Sequence, residues 1–249
     1  SKRAQARPAA ISPATRRRWP RPTSRACATA PAVEHHERPS SAGIASAWDT
    51  ARADAILART QRLHLAPDLS GLSAGERVAV GELLQAGERM HQLYMAQRHP
   101  QALNAAAYLA EHPELTREND LFRMNAGPIA STLDNTREPF LTVSPETPAR
   151  NMYPAGTTRE TMDAFLAAHP ERRETLLDDR TVVVEATAAN RAHALMVLDH
   201  HPVLDTLHPG LRARLQNEET YLALPYSVAY AHDFFFIVDR LNAAADAVE

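Results

Sequence analysis

The sequence has one cysteine, Cys27, so it can build neither an internal disulfide framework nor a four-cysteine metal site. Eight glycines are too few for a glycine-rich phosphate loop or a many-turned all-β fold. No stretch reaches 18 consecutive apolar residues, so nothing here spans a membrane as a helix. Lysine is nearly missing: Lys2 stands alone against 26 arginines. Alanine is equally inflated, which marks a GC-rich coding bias rather than an arginine-based function. A formal net charge of −3 and a pI near 6.5 argue against a nucleic-acid partner. What remains is a chain of 249 residues, 44% hydrophobic, with room for one large or two small domains.

Charge is distributed unevenly. Residues 1–40 carry nine basic groups and two acids, a local +7, which leaves −10 for the rest. That head also holds six of the 18 prolines and almost no large apolar side chains. It cannot bury enough surface to offset its ordering entropy, so it reads as disordered. No apolar h-region lies between Arg18 and Val33, and none follows the Arg16-Arg17-Arg18 triplet. An inert or mis-read tail is preferred over a targeting remnant or a binding arm. The absent initiator Met, and an end inside a helical pattern, give the expectation of a fragment.

From residue 42 onward the pattern is mainly helical. Helices are expected over 45–64, from the Ser73-Ala74-Gly75-Glu76 capping box to Arg98, and over 101–111 and 114–122. In the long helix Val80, Leu83, Leu84, Gly87, Met90 and Tyr94 recur at helical spacing and define the expected buried face. Residues 125–156 carry five prolines and read as an extended, loop-rich stretch, with Phe140–Val143 as a short strand. Thr157-Thr158-Arg159-Glu160 opens another helix, Glu171–Asp178 a shorter one, and Thr181–Val184 is the clearest strand. Helices over Ala188–His200, Gly210–Glu219 and Ser227–Val248 follow, the last with Val228, Phe235, Val238, Leu241 and Ala245 on one stripe. Its Phe234–Ile237 run makes it apolar nearly all round, fit for a larger body.

Chemical motifs are mostly absent. Twelve histidines invite a metal, yet no His-Glu-x-x-His or His-Glu-x-x-x-His occurs to face two rings at one ion. Glu34-His35-His36-Glu37 sits in the proline-rich head. His99, His112, His169, His201 and His208 each precede a proline, which reads as a recurring helix stop. No Gly-x-Ser-x-Gly elbow is present. The acid pairs Asp178-Asp179 and Glu218-Glu219 read as solvated helix ends. No catalytic or metal-ligating residue is assigned.

One tract is distinctive. Leu121-Phe122-Arg123-Met124-Asn125-Ala126-Gly127-Pro128, then Leu133-Asp134-Asn135, Glu138-Pro139-Phe140 and Asn151-Met152-Tyr153-Pro154, resembles a block of the dipeptidyl peptidase III family. Asp68–Ser73 ahead of it and Leu224-Pro225-Tyr226-Ser227 after it are similar to flanking stretches of the family's bacterial zinc-dependent hydrolase-like members. The resemblance covers roughly residues 62–249. The family usually continues Gly-Pro with Trp-Asp-Arg; here Gly127-Pro128 continues Ile129-Ala130-Ser131.

The resemblance implies the helical N-terminal part of a two-lobed metallopeptidase fold, with peptide substrate in the cleft. The family's zinc ligands and catalytic glutamate lie on a His-Glu-x-x-x-His helix with no counterpart in this sequence, so zinc belongs to the intact protein, not to this chain. Asn125, Asp134, Asn151 and Tyr153 are the candidates to line or brace the cleft; turn capping is the preferred reading of each. The expected partner is a missing C-terminal catalytic portion, and the cytoplasm is the default compartment. The alternative is a non-catalytic helical scaffold presenting an apolar surface around Phe234–Ile237.

Overall fold

The computed structural model describes residues 41–249; the basic head, with Cys27 and the Glu34–Glu37 cluster, lies outside the described residues. The first half contains α1 (Thr50–Leu57), α2 (Ala74–Arg98), α3 (Ala102–Glu111), α4 (Thr116–Asn125), β1 (Ile129–Ser131) and β2 (Arg137–Pro139). The second contains α5 (Arg159–Ala168), a 3₁₀ turn at Pro170–Arg172, α6 (Arg173–Leu176), β3 (Thr181–Glu185) and α7 (Ala188–His200). It ends with α8 (Val203–Leu207), α9 (Leu211–Asn217), β4 (Tyr221–Pro225), α10 (Tyr226–Ala229) and α11 (Ala231–Ala247). The architecture is mainly α with a few short strands. Among the described residues no helix is long and apolar enough to cross a membrane.

Helix starts follow local chemistry. Ser73 and Glu76 form the expected box at α2: the Ser73 hydroxyl accepts from the Glu76 N–H, and the Glu76 carboxylate accepts from the Ser73 N–H at 2.7 Å. At α5 the box forms one residue later than expected, on Thr158 with Thr161, because a threonine hydroxyl answers as well as a glutamate. Helix stops are equally local. All five histidines that precede a proline are the C-caps of α2, α3, α5, α7 and α8. Proline's ring disfavours helical backbone in the residue before it, so the turn ends there.

Three apolar clusters organise these elements. The first joins Ile44, Ile56, Met95, Leu109, Leu121, Phe140 and Leu141. The other two lie on opposite faces of the antiparallel β3–β4 ribbon, in register Val182↔Leu224, Val183↔Ala223 and Val184↔Leu222. Leu222 and Leu224 face α7, α9 and α10, while Val183 and Ala223 face Met162, Leu166 and Leu176. A ribbon buried on both faces favours an unbroken β-branched run, which Thr181–Val184 supplies.

Several sequence expectations are corrected. The helix expected over 45–64 is confined to Thr50–Leu57; residues 58–71 are exposed and bury no face that would sustain a helix. Phe140–Val143 is reduced to one antiparallel bridge, Leu141 to Ser46; the strands form earlier, as β1 and β2, and Phe140 and Leu141 drop into the core. The helix over Ser227–Val248 is two, broken at Tyr230, and its buried stripe is Ala231, Asp233, Ile237 and Ala244 rather than Leu241 and Ala245.

The largest correction concerns α2. It packs antiparallel against α11, with Glu82 paired to Arg240 at 2.8 Å and Arg89 to Asp233 at 3.3 Å. Its buried residues there are Ala79, Ala86 and Leu93 at seven-residue spacing, and the two small alanines let the helix axes approach. The bulkier stripe expected to be buried faces outward: Leu84 is 69% exposed, Leu83 50%, and Met90 and Tyr94 46% each. Phe234–Ile237, which only the alternative scaffold reading would leave exposed, is half-buried to buried, with Arg89 and Arg240 over the Phe236 ring.

Candidate functional site

The tract singled out in the sequence begins where α4 ends. Asn125 closes that helix: its side-chain N–H donates to the Leu121 carbonyl at 2.8 Å, and its Oδ1 accepts from the Ser131 N–H at 3.3 Å. Its own carbonyl accepts from Arg98 Nη1 at 3.4 Å, tying α4 to the last turn of α2. Asn151 reaches the same turn from the other side. Its side chain donates to the Ala96 carbonyl at 2.9 Å and its backbone N–H to the Gln97 carbonyl at 3.1 Å. Those carbonyls are among the last four of α2 and would otherwise lack partners.

Asp134 and Tyr153 lie elsewhere. Asp134 is exposed in the turn between β1 and β2, next to Asn135, whose φ of 60° is left-handed. Tyr153 packs against the Met162–Leu176 cluster and donates its hydroxyl to the Leu176 carbonyl at 2.8 Å; burial pushes its phenol up. The structure therefore brings Asn125 and Asn151 to one place, the end of α2, and keeps the other two apart.

Around that helix end lies a concavity of about 450 Å³ lined by Arg98, Arg137, Glu146, Thr147, Pro148 and Arg150. Arg137 grips Glu146 through Nε at 2.6 Å and Nη2 at 3.4 Å, and Arg98 stands 3.8 Å from the same carboxylate. Behind them His99 is buried, its Nε2 2.9 Å from the Ser144 carbonyl while its Nδ1 accepts from the Gln101 N–H at 3.1 Å. Burial lowers its imidazole below the usual range. With both nitrogens engaged, His99 is a structural strut.

Two side-chain groupings escaped the sequence reading. His208 Nε2 lies 2.7 Å from the Ser227 hydroxyl, but no carboxylate orients the ring among the described residues. Burial, with Arg214 nearby, lowers the imidazole and weakens it as a base. Nothing in the sequence marks this pair, 19 residues apart. Glu218, expected in solvent, has a side chain only 9% exposed, 3.1 Å from Arg172. Burial raises its carboxyl against the pull of Arg172, Arg214 and Arg191. Asp178 and Asp179 are exposed, as expected.

No family model matches the sequence, and no curated protein matches it. Among solved structures the chain is similar to DPP III from Caldithrix abyssi, with a TM-score of 0.51 at 21% identity. The match covers 73% of this chain and 29% of that one. The fold is DPP III-like, in part. Within that fold the departure after Gly127-Pro128 is structural: Ile129 and Ala130 are buried in β1. Among the described residues no three His, Cys, Asp or Glu side chains are grouped to hold a metal. His200 Nδ1 lies 2.8 Å from the Met196 carbonyl, and His201 stacks on Phe235 at 3.7 Å.

Proposed function

We propose that this chain is the N-terminal portion of a zinc-dependent peptidase of DPP III type, and that alone it neither holds stoichiometric zinc nor cleaves peptides. The observation that carries this is the likeness of fold, which spans 73% of the chain but only 29% of DPP III from Caldithrix abyssi. The outward stripe of Leu83, Leu84, Met90 and Tyr94 supports it, since a helix face patterned for burial implies a surface that covers it. In this reading the cover is the C-terminal, catalytic portion.

Zinc would supply an activated water and polarise a peptide carbonyl. The side chains described here do not fit as its ligands, so no catalytic step is assigned to them. Asn125 and Asn151 brace the end of α2 on the side of the loop-rich tract, and Asp134 and Tyr153 remain candidates to face peptide.

A non-catalytic helical interaction domain is the second reading, favoured by the same exposed stripe. Metal analysis and a peptide-cleavage assay on the purified chain test the first: stoichiometric zinc or cleavage overturns it. The coding DNA beyond Glu249 separates the two. An open frame carrying His-Glu-x-x-x-His supports the peptidase reading, and a stop codon favours the interaction domain.

A further inference from the structure

Three guanidinium groups from separate parts of the chain line the concavity at the end of α2. Arg98 comes from the helix, Arg137 from β2 and Arg150 from the loop beyond. Glu146 is the one acid among the lining residues, so the lining carries a formal +2. We propose that this concavity binds a small oxyanion, a carboxylate or phosphate group, between Arg98, Arg137 and Arg150.

Arg98 and Arg137 share one carboxylate, Glu146, and are otherwise held by uncharged partners. Arg98 Nη1 donates to the Tyr94 hydroxyl at 3.0 Å and to the Asn125 carbonyl, with the Tyr94 ring centre 5.5 Å away. Arg137 donates from Nη1 to the Ser131 hydroxyl at 3.2 Å and from Nη2 to the Ile129 carbonyl at 3.4 Å. Each guanidinium has five N–H donors; with the Glu146 contacts counted, Arg137 keeps one uncommitted, and Arg98 engages only Nη1 in hydrogen bonds. Fixed forks of this kind suit planar carboxylate or phosphate oxygens and lose little freedom on binding.

Anchoring the loop explains Arg98, Arg137 and Glu146, but it does not call for Arg150. That residue is exposed, forms no ion pair among the described residues, and sits at φ 52°. A left-handed conformation is strained for a side-chain-bearing residue, and glycine would avoid that strain. The turn holds it there: the Arg150 N–H donates to the Thr147 carbonyl at 2.9 Å, and the Thr147 hydroxyl donates to the Arg150 carbonyl at 3.2 Å. Strain retained beside a concave, positively charged surface is the pattern of a binding residue. The α2 carbonyls of Ala96 and Gln97, which would repel an anion, are taken up by Asn151.

Calorimetric titration of the full chain with inorganic phosphate, and separately with succinate, at low ionic strength tests this. Saturable binding of at least one is expected, and the stronger arm identifies the source as phosphate or carboxylate. Arg150→Gly tolerates the positive φ, so it retains the melting temperature while weakening binding about tenfold or more. Arg159→Gln, which removes an equal charge from exposed α5, leaves binding unchanged. The proposal is overturned if neither anion saturates, or if the two variants weaken binding equally.

Discussion

A methyl group on Gly75 would run into the carbonyl oxygen of Ala247, so the first turn of α2 and the last turn of α11 touch through bare backbone. Neither atom can rotate away, because both belong to helices. Gly75→Ala is therefore expected to destabilise the chain by about 1–3 kcal/mol, read as a lower denaturation midpoint. Gly81, on the same helix, has open space around its Cβ position. Gly81→Ala should raise stability by about 0.5–1 kcal/mol through helix propensity alone. Equal effects from the two substitutions would contradict the close α2–α11 approach.

His99 makes stability depend on pH. The unfolded chain takes up a proton on this residue near pH ~6.5, whereas burial keeps the folded imidazole neutral to lower pH. Its contribution is complete above that value and declines as pH falls toward the folded value. Burial also lowers His193, His201 and His208, so they steepen the same decline. Thermal melts from pH 8 to 5 should fall on acidification, and His99→Gln should flatten the slope. An unchanged slope would remove His99 from the account.

The Arg172–Glu218 pair is half-buried, and Arg172 also donates to the Tyr221 carbonyl at 2.9 Å. Arg172→Leu takes the nearest counter-charge from this carboxylate and leaves only the weaker pull of Arg214 and Arg191, with an expected cost of roughly 1–3 kcal/mol. Adding Glu218→Gln should recover part of that loss, since that charge is gone. A double variant no more stable than the single one would refute this.

Leu84 separates fold from association. It is 69% exposed, so Leu84→Ser should change the stability of this chain by less than about 0.5 kcal/mol. If the stripe on α2 meets a catalytic portion, the same substitution should weaken assembly with that portion, measured by co-purification of the two parts. Unimpaired assembly would move the contact elsewhere.

Much of the fold was legible because its signals are local. A capping hydroxyl answers a backbone N–H three residues on, and a proline acts on the residue before it. Thus α2, α3 and α7 fall at or within a residue of their expected bounds, and five His-Pro pairs each end a helix. The loop-rich tract was legible from its prolines, and the positions of Asn125 and Asn151 follow from it. That both reach the end of α2 was not legible, since their partners lie up to 55 residues away.

The sequence by itself determined the helical class and the strand at Thr181–Val184, both of which rest on composition or short-range chemistry. Only the tertiary structure decided which face of α2 is buried. Two apolar stripes share that helix, and α11 selects the one with Ala79, Ala86 and Leu93, because its two alanines allow close approach. It also put Glu218 beside Arg172 and gathered Arg98, Arg137 and Arg150 into one concavity, since charges far apart in sequence meet only when the backbone places them together.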